Sequence, residues 1–326
     1  MKKKKGPKWH HWIPRSYLSA WCDPAVPKGH APYVHVFDKD GTDARKKAPV
    51  NIFALNEYYT ITRQDGSRDL SLETWLSGLE TSFANCRRDF LAKGKDLPGP
   101  RKAKLLVFVA ALHARTPAMI GHHQQFWKEL EDTGQQLVRW AKTATPQERK
   151  SVARALSSPS DRRSSMSLNE VSEFANRPVQ NLLPALVAAE APLLARMALY
   201  VLCTKSKPGF ITSDKPVSWF TPSWHKKPPF WQSPAFMDRD LEITMPISPN
   251  QMLLLMHGDH TSPCQYVEVN DNLVSELNRR TRFECENQFV VSSNVTEPYW
   301  FDPGTMPDDA WEKLHPEYAA KSDAKI

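Results

Sequence analysis

No glycine-rich loop interrupts this sequence. Its 12 glycines in 326 residues form neither a Gly-x-Gly-x-x-Gly turn nor a P-loop, and those glycines are what lets a main chain approach a pyrophosphate. Ordinary nucleotide-cofactor binding is set aside on that ground. Cys22, Cys86, Cys203, Cys264 and Cys285 stand singly, with no Cys-x-x-Cys pair and no short Cys/His spacing, so a zinc ribbon or finger has no ligands to build from. Reduced, mostly buried thiols are expected. Cys86, followed by Arg87 and Arg88, is the one cysteine whose neighbours would favour a thiolate.

Long apolar runs are missing too. The chain opens Met-Lys-Lys-Lys-Lys-Gly-Pro-Lys without the apolar segment of a secretory leader. The most apolar stretch, 181–203, is broken by Pro184, Glu190, Pro192 and Arg196, which leaves no uninterrupted run able to span a bilayer. A cytoplasmic protein without a membrane partner is expected. No internal repeat is visible. No Gly-x-Ser-x-Gly elbow appears, and His113, His122 and His123 lack the i, i+4 spacing of a His-Glu-x-x-His zinc helix.

What is present is enough apolar sequence, 40% of residues, for a large core. Five of the seven net positive charges come from Lys2, Lys3, Lys4, Lys5 and Lys8, so the body is nearly balanced and the excess is a basic arm. Such an arm adds salt-sensitive affinity for phosphates, or only solubility.

Periodicity divides the chain. Ile13 to Trp21 reads as a helix opened by Pro14, with Tyr17, Leu18 and Trp21 on one side. Tyr33–Phe37 and Tyr58–Thr62 alternate like strands, each followed by an Asp-Gly turn, and are expected to pair. Leu72, Trp75, Leu76, Leu79, Phe83, Cys86 and Phe90 mark a helix from Ser71 to about Leu91. Further helices are expected over 102–122, 124–143, 146–156, 167–174 and 179–203. After Lys205 the texture turns strand-like at 210–212, 217–220, 241–245 and 252–256, then returns to helix over 270–286 and strand over 289–291. Trp224 to Trp231 reads as a packed aromatic and proline-rich loop. The expected class is α+β, a helix-rich amino-terminal two-thirds packed on a small β-rich carboxyl-terminal part. The expected organisation is a flexible arm (1–9), one composite domain (10–316, mainly helical to 204) and a disordered tail (317–326).

The run His11-Trp12-Ile13-Pro14-Arg15-Ser16-Tyr17-Leu18 resembles the amino-terminal signature of domain-of-unknown-function family 4238. The helix carrying Leu72-Glu73 and Glu80 and the element Thr212-Ser213-Asp214-Lys215-Pro216 are similar to two later pieces of that family, with order and spacing agreeing over most of the chain. The resemblance implies an architecture and a set of positions, not a reaction. Here His10 precedes His11 and Trp12 stands where tyrosine is often found, which leaves open which imidazole matters.

Each position has a chemical and a structural reading. His11, just before the first helix, can act as base, acid or metal ligand, or can bond backbone at the helix start. Glu73 and Glu80 lie two helical turns apart on one side, so they can hold one magnesium or manganese ion with Asp214, or be solvated flanking acids. Arg115, aimed inward by the break at Pro117, either pairs with Glu80 or Asp214 or clamps a substrate phosphate. Ser213 and Asp214 end a strand, where loops present catalytic groups and where local turns also use them. Two functions follow. One is a metal-assisted phosphodiesterase or nuclease acting on nucleic acid, with His11 as base, Glu73, Glu80 and Asp214 as ligands and Arg115 on the phosphate, in a setting such as phage defence or a mobile element. The other is a non-catalytic binding or regulatory protein in which the same residues fasten the fold and the partners are proteins.

Overall fold

Proline sets the first element. The computed structural model describes residues 8–23, 26, 29–42, 44–63, 65–156, 166–228 and 232–303, so the Lys2–Lys5 arm, residues 229–231 of the aromatic loop and the 317–326 tail lie outside the described residues. Strand β1 (Trp9–His11) leads into Pro14, whose extended backbone starts α1 (Arg15–Leu18), continued as a 3-10 turn to Trp21. Four short strands and a fifth follow: β2 (Val34–Asp38), β3 (Arg45–Lys47), β4 (Ala54–Asn56), β5 (Ile61–Thr62) and β6 (Arg68–Asp69).

The helical part comprises α2 (Ser71–Asp89), α3 (Gly99–Ala114), α4 (Pro117–Thr143), α5 (Pro146–Leu156), α6 (Leu168–Asn176) and α7 (Pro178–Leu194). Helix α2 buries Leu72, Leu76, Phe83 and Cys86, whereas Trp75, expected inward, is exposed because it sits about 100° round the helix from Leu76. The single helix expected across 102–122 is two helices bent by 64°. Pro117 pushes Thr116 out of the helical region, to ψ 143°, and the Thr116 hydroxyl then accepts the Met119 N–H as the cap of α4. No single helix among the described residues is long and apolar enough to cross a membrane.

The last third adds β7 (Ala198–Cys203), β8 (Thr212–Ser213), β9 (Ser218–Phe220), β10 (Glu242–Ser248), β11 (Gln251–Met256), β12 (Gln265–Glu268), α8 (Asp271–Glu284) and β13 (Gln288–Val291). Residues 198–203, expected to extend a helix, are a strand. An apolar run of six is ambiguous by periodicity, and here β11 and β12 supply its ladder on both sides. One sheet has the order β12-β7-β11-β10-β9 and a second the order β3-β2-β13-β8. The expected pairing of the strands near 33–37 and 58–62 does not occur: β2 lies between β3 and β13, and β5 forms a two-residue ladder with β6.

The architecture is α+β, with helices mostly in the first two-thirds. Its main core joins Ile13, Tyr17 and Trp21 to Phe83 and Phe108 of the helices and to Ile243, Met245 and Leu253 of the larger sheet. Tyr17 donates to the Pro246 carbonyl at 2.6 Å, Trp21 donates to the Phe210 carbonyl at 2.8 Å, and Arg87 donates to the carbonyls of Tyr17 and Ser16. Short α1 is thereby bolted to both halves, which fixes the strand immediately before it.

Candidate functional site

That strand carries the first site residue. β1 pairs antiparallel with β4, His11 opposite Ala54 and Trp9 opposite Asn56, and alternation sends His10 inward and Trp9 and His11 outward. The two imidazoles are therefore separated by strand geometry. His10 is fully buried, stacks on Tyr59 with ring centroids 5.6 Å apart, and accepts the Tyr59 N–H on Nδ1 at 2.9 Å. His11 faces a cavity of about 1000 Å³.

α2 forms the opposite wall. Glu73, Ser77, Glu80, Thr81 and Ala84 recur at three- and four-residue spacing and line the cavity, while the other side of the helix enters the core. Arg15 on α1 and Asn51 add to the lining, and Lys8 and Trp9 stand on it where β1 begins. Trp9 is 63% exposed. Sequence reasoning passed over Arg15, Trp9 and Ser77. Their signal was positional, since Ser77 falls one turn beyond Glu73 and Trp9 two residues from His11 on the same strand face.

The electrostatics of the pair across the cavity are opposite in sign. His11 Nε2 lies 3.1 Å from the Val50 carbonyl, which only accepts, so the proton sits on Nε2 and Nδ1 keeps the lone pair. Burial lowers the His11 pKa, and the Arg15 charge adds to that. Burial raises the Glu73 pKa. Glu73 Oε2 lies 3.9 Å from His10 Nδ1, but that nitrogen already accepts a backbone N–H, so the contact is not a charge pair in the neutral tautomer. Glu80 accepts from Arg115 Nη1 at 2.9 Å.

Two expected members are elsewhere. Asp214 is buried and its carboxylate accepts the backbone N–H groups of Glu286, Asn287 and Gln288 at 2.9, 2.7 and 3.0 Å, which ties the end of α8 to β13. Burial works to raise its pKa and the three donors work against that. Ser213 is buried and spends its hydroxyl on the N–H and carbonyl of Lys215, a local turn. Neither lines the cavity. The expected magnesium or manganese centre on Glu73, Glu80 and Asp214 is therefore not assembled, and among the described residues no group of three or more His, Cys, Asp and Glu side chains is arranged to hold a metal ion. Burial pushes the Cys86 thiol up to about 11 despite nearby Arg101, which works against the thiolate that its arginine neighbours would favour.

A family model described as a protein of unknown function, DUF4238, matches residues 9–296. No curated protein and no solved structure matches the chain.

Proposed function

The chain belongs to family DUF4238, and on the chemistry of its cavity we propose that it is a phosphodiesterase acting on nucleic acid. The observation that carries this reading is one cavity holding a histidine with a lowered pKa opposite a carboxyl with a raised one. Each is shifted toward the protonation state its role needs. Neutral His11 takes a proton from the attacking water or hydroxyl on Nδ1, and protonated Glu73 gives one to the leaving oxygen as the P–O bond breaks. The attacking oxygen forms the new P–O bond, and imidazolium and carboxylate return to their starting states by exchange with water. Arg15, which has no ion-pair partner among the described residues, neutralises the phosphoryl oxygens.

Nucleic acid is favoured over a small phosphodiester by the rim. Trp9 and His11 share a strand face roughly 6.6 Å apart. A base stacked on the exposed indole thus leaves its own phosphate beside His11. Lys8 adds charge at the same place. The five cysteines are free thiols, which suits a reducing cytoplasm.

A second reading has one observation in its favour. The Glu80–Arg115 bond joins α2 to the α3–α4 junction, as it would in a binding or regulatory protein that uses these residues structurally. The two are separated by assaying labelled single-stranded DNA, duplex DNA and RNA, with EDTA or with added magnesium or manganese. Cleavage in EDTA that falls about 100-fold or more in His11→Ala and in Glu73→Gln supports the proposal. Cleavage only with added metal would replace acid–base catalysis by metal assistance. Absence of cleavage under every condition leaves the binding reading.

A further inference from the structure

Helix α4 has two distinct faces. One packs on α6: Trp127 stacks on Phe174 with centroids 4.7 Å apart, Gln124 donates to the Ala175 carbonyl, and a Cβ on Gly134 would lie 2.8 Å from a Leu168 methyl. The other carries Phe126, Leu130, Leu137 and Trp140, between 36% and 57% exposed. Single exposed apolar residues are ordinary, but these four follow the alternating four- and three-residue steps of a coiled-coil seam, with exposed Thr133 filling the one remaining step. On a helix that repeat is a single stripe facing water, about 21 Å long.

The charges beside the stripe are divided along it. Glu129 and Asp132 lie toward the amino end, and Arg139 lies toward the carboxyl end on the same flank. A parallel pair would set this charged flank of one copy against the opposite flank of the other, where Trp127 and Gly134 are already packed on α6, so the charges would find no partner there. An antiparallel one sets Glu129 and Asp132 of one copy beside Arg139 of the other, twice over. Thr133, at the midpoint and the smallest residue of the stripe, then sits on the two-fold axis. Phe126 falls opposite Trp140, and Leu130 opposite Leu137.

We propose that this face of α4 is a self-association surface on which two copies of the chain pair antiparallel about Thr133. A two-helix seam of this length is smaller than a standard interface of about 1,600 Å². The dimer is accordingly reversible, forming in the micromolar range. Its occupant is a second copy because the apolar spacing and the charge division complement themselves, not because the face is merely uncovered.

The test is sedimentation equilibrium of the full chain from submicromolar to submillimolar concentration, beside the Leu130→Glu/Leu137→Glu variant. A weight-average mass rising toward twice that of the chain, and a monomer for the variant with an unchanged circular dichroism spectrum, are expected. Arg139→Glu should raise the dissociation constant about tenfold. Adding Glu129→Arg should restore it. Mixed chains carrying Phe126→Cys and Trp140→Cys should cross-link on mild oxidation where the wild type does not. A monomer at every concentration overturns the proposal, as does a dimer indifferent to the Leu130/Leu137 change.

Discussion

Arg115 donates to Glu80 through Nη1 at 2.9 Å, while Nε and Nη2 of the same guanidinium have no protein partner among the described residues although Arg115 is only 1% exposed. A buried cation with one bonded nitrogen depends on that carboxylate. Glu80→Ala should therefore cost about 3–5 kcal/mol, because it strands a charge rather than deleting a favourable contact. Glu80→Gln with Arg115→Met should recover most of the loss. Urea unfolding of the three proteins is the check, and a Glu80→Ala protein within error of wild type would mean that water holds the guanidinium.

The opposed shifts at His11 and Glu73 predict both an activity profile and a stability profile. Cleavage should rise with pH as His11 loses its proton and fall as Glu73 loses its own, and the falling limb should vanish in Glu73→Gln along with most of the rate. For stability, Glu73 binds its proton more tightly folded than unfolded, so its contribution is present below the ordinary value of 4.5 and is lost as pH rises through the raised one. Glu73→Gln should raise Tm near neutral pH by about 2 °C and change it little in acid. His11 has the reverse sign, with its contribution present above 6.5 and lost as pH falls through the lowered value. Thermal melts across pH read both.

Asp214 is a brace, not a ligand. Asp214→Ala leaves three N–H groups without an acceptor and should cost about 3–5 kcal/mol, and Asp214→Asn, which keeps one carbonyl oxygen, should cost less. Activity per folded molecule should not change in Asp214→Asn. A specific loss of metal-dependent cleavage in that variant would contradict the assignment.

Trp9 should separate recognition from folding. Trp9→Ala is expected to weaken single-strand binding by roughly 5- to 100-fold, with Trp9→Phe in between. Stability should move by no more than about 0.5 kcal/mol, since the indole is exposed. Fluorescence anisotropy with a labelled oligonucleotide at fixed salt decides, and equal affinity of all three proteins would remove the base platform from the proposal.

Much of the fold was readable because its signals are local. Leu72, Leu76, Phe83 and Cys86 mark α2 by spacing alone, and Ser167 with Glu170 forms a capping box at the start of α6 that needs no distant partner. Pro117 announces a break in the sequence, and its consequence in the fold is a new helix capped by Thr116 rather than a kink. Residues 198–203 form a strand rather than the end of a helix, a difference that spacing does not reveal because a short buried apolar run has no period of its own. The site was half legible: His11, Glu73 and Glu80 belong to one cavity and Ser213 and Asp214 do not.

The sequence by itself determined the helix-rich then strand-rich order, the absence of a glycine cradle or a clustered thiol site, and the two-turn spacing that puts Glu73 and Glu80 on one helix wall. Only the tertiary structure decided which imidazole faces the cavity, since pairing β1 with β4 turns His10 into the core and His11 out. It also decided that Asp214 serves the turn before β13, because a carboxylate near the end of one strand is claimed by whichever unpaired N–H groups the next strand brings to it.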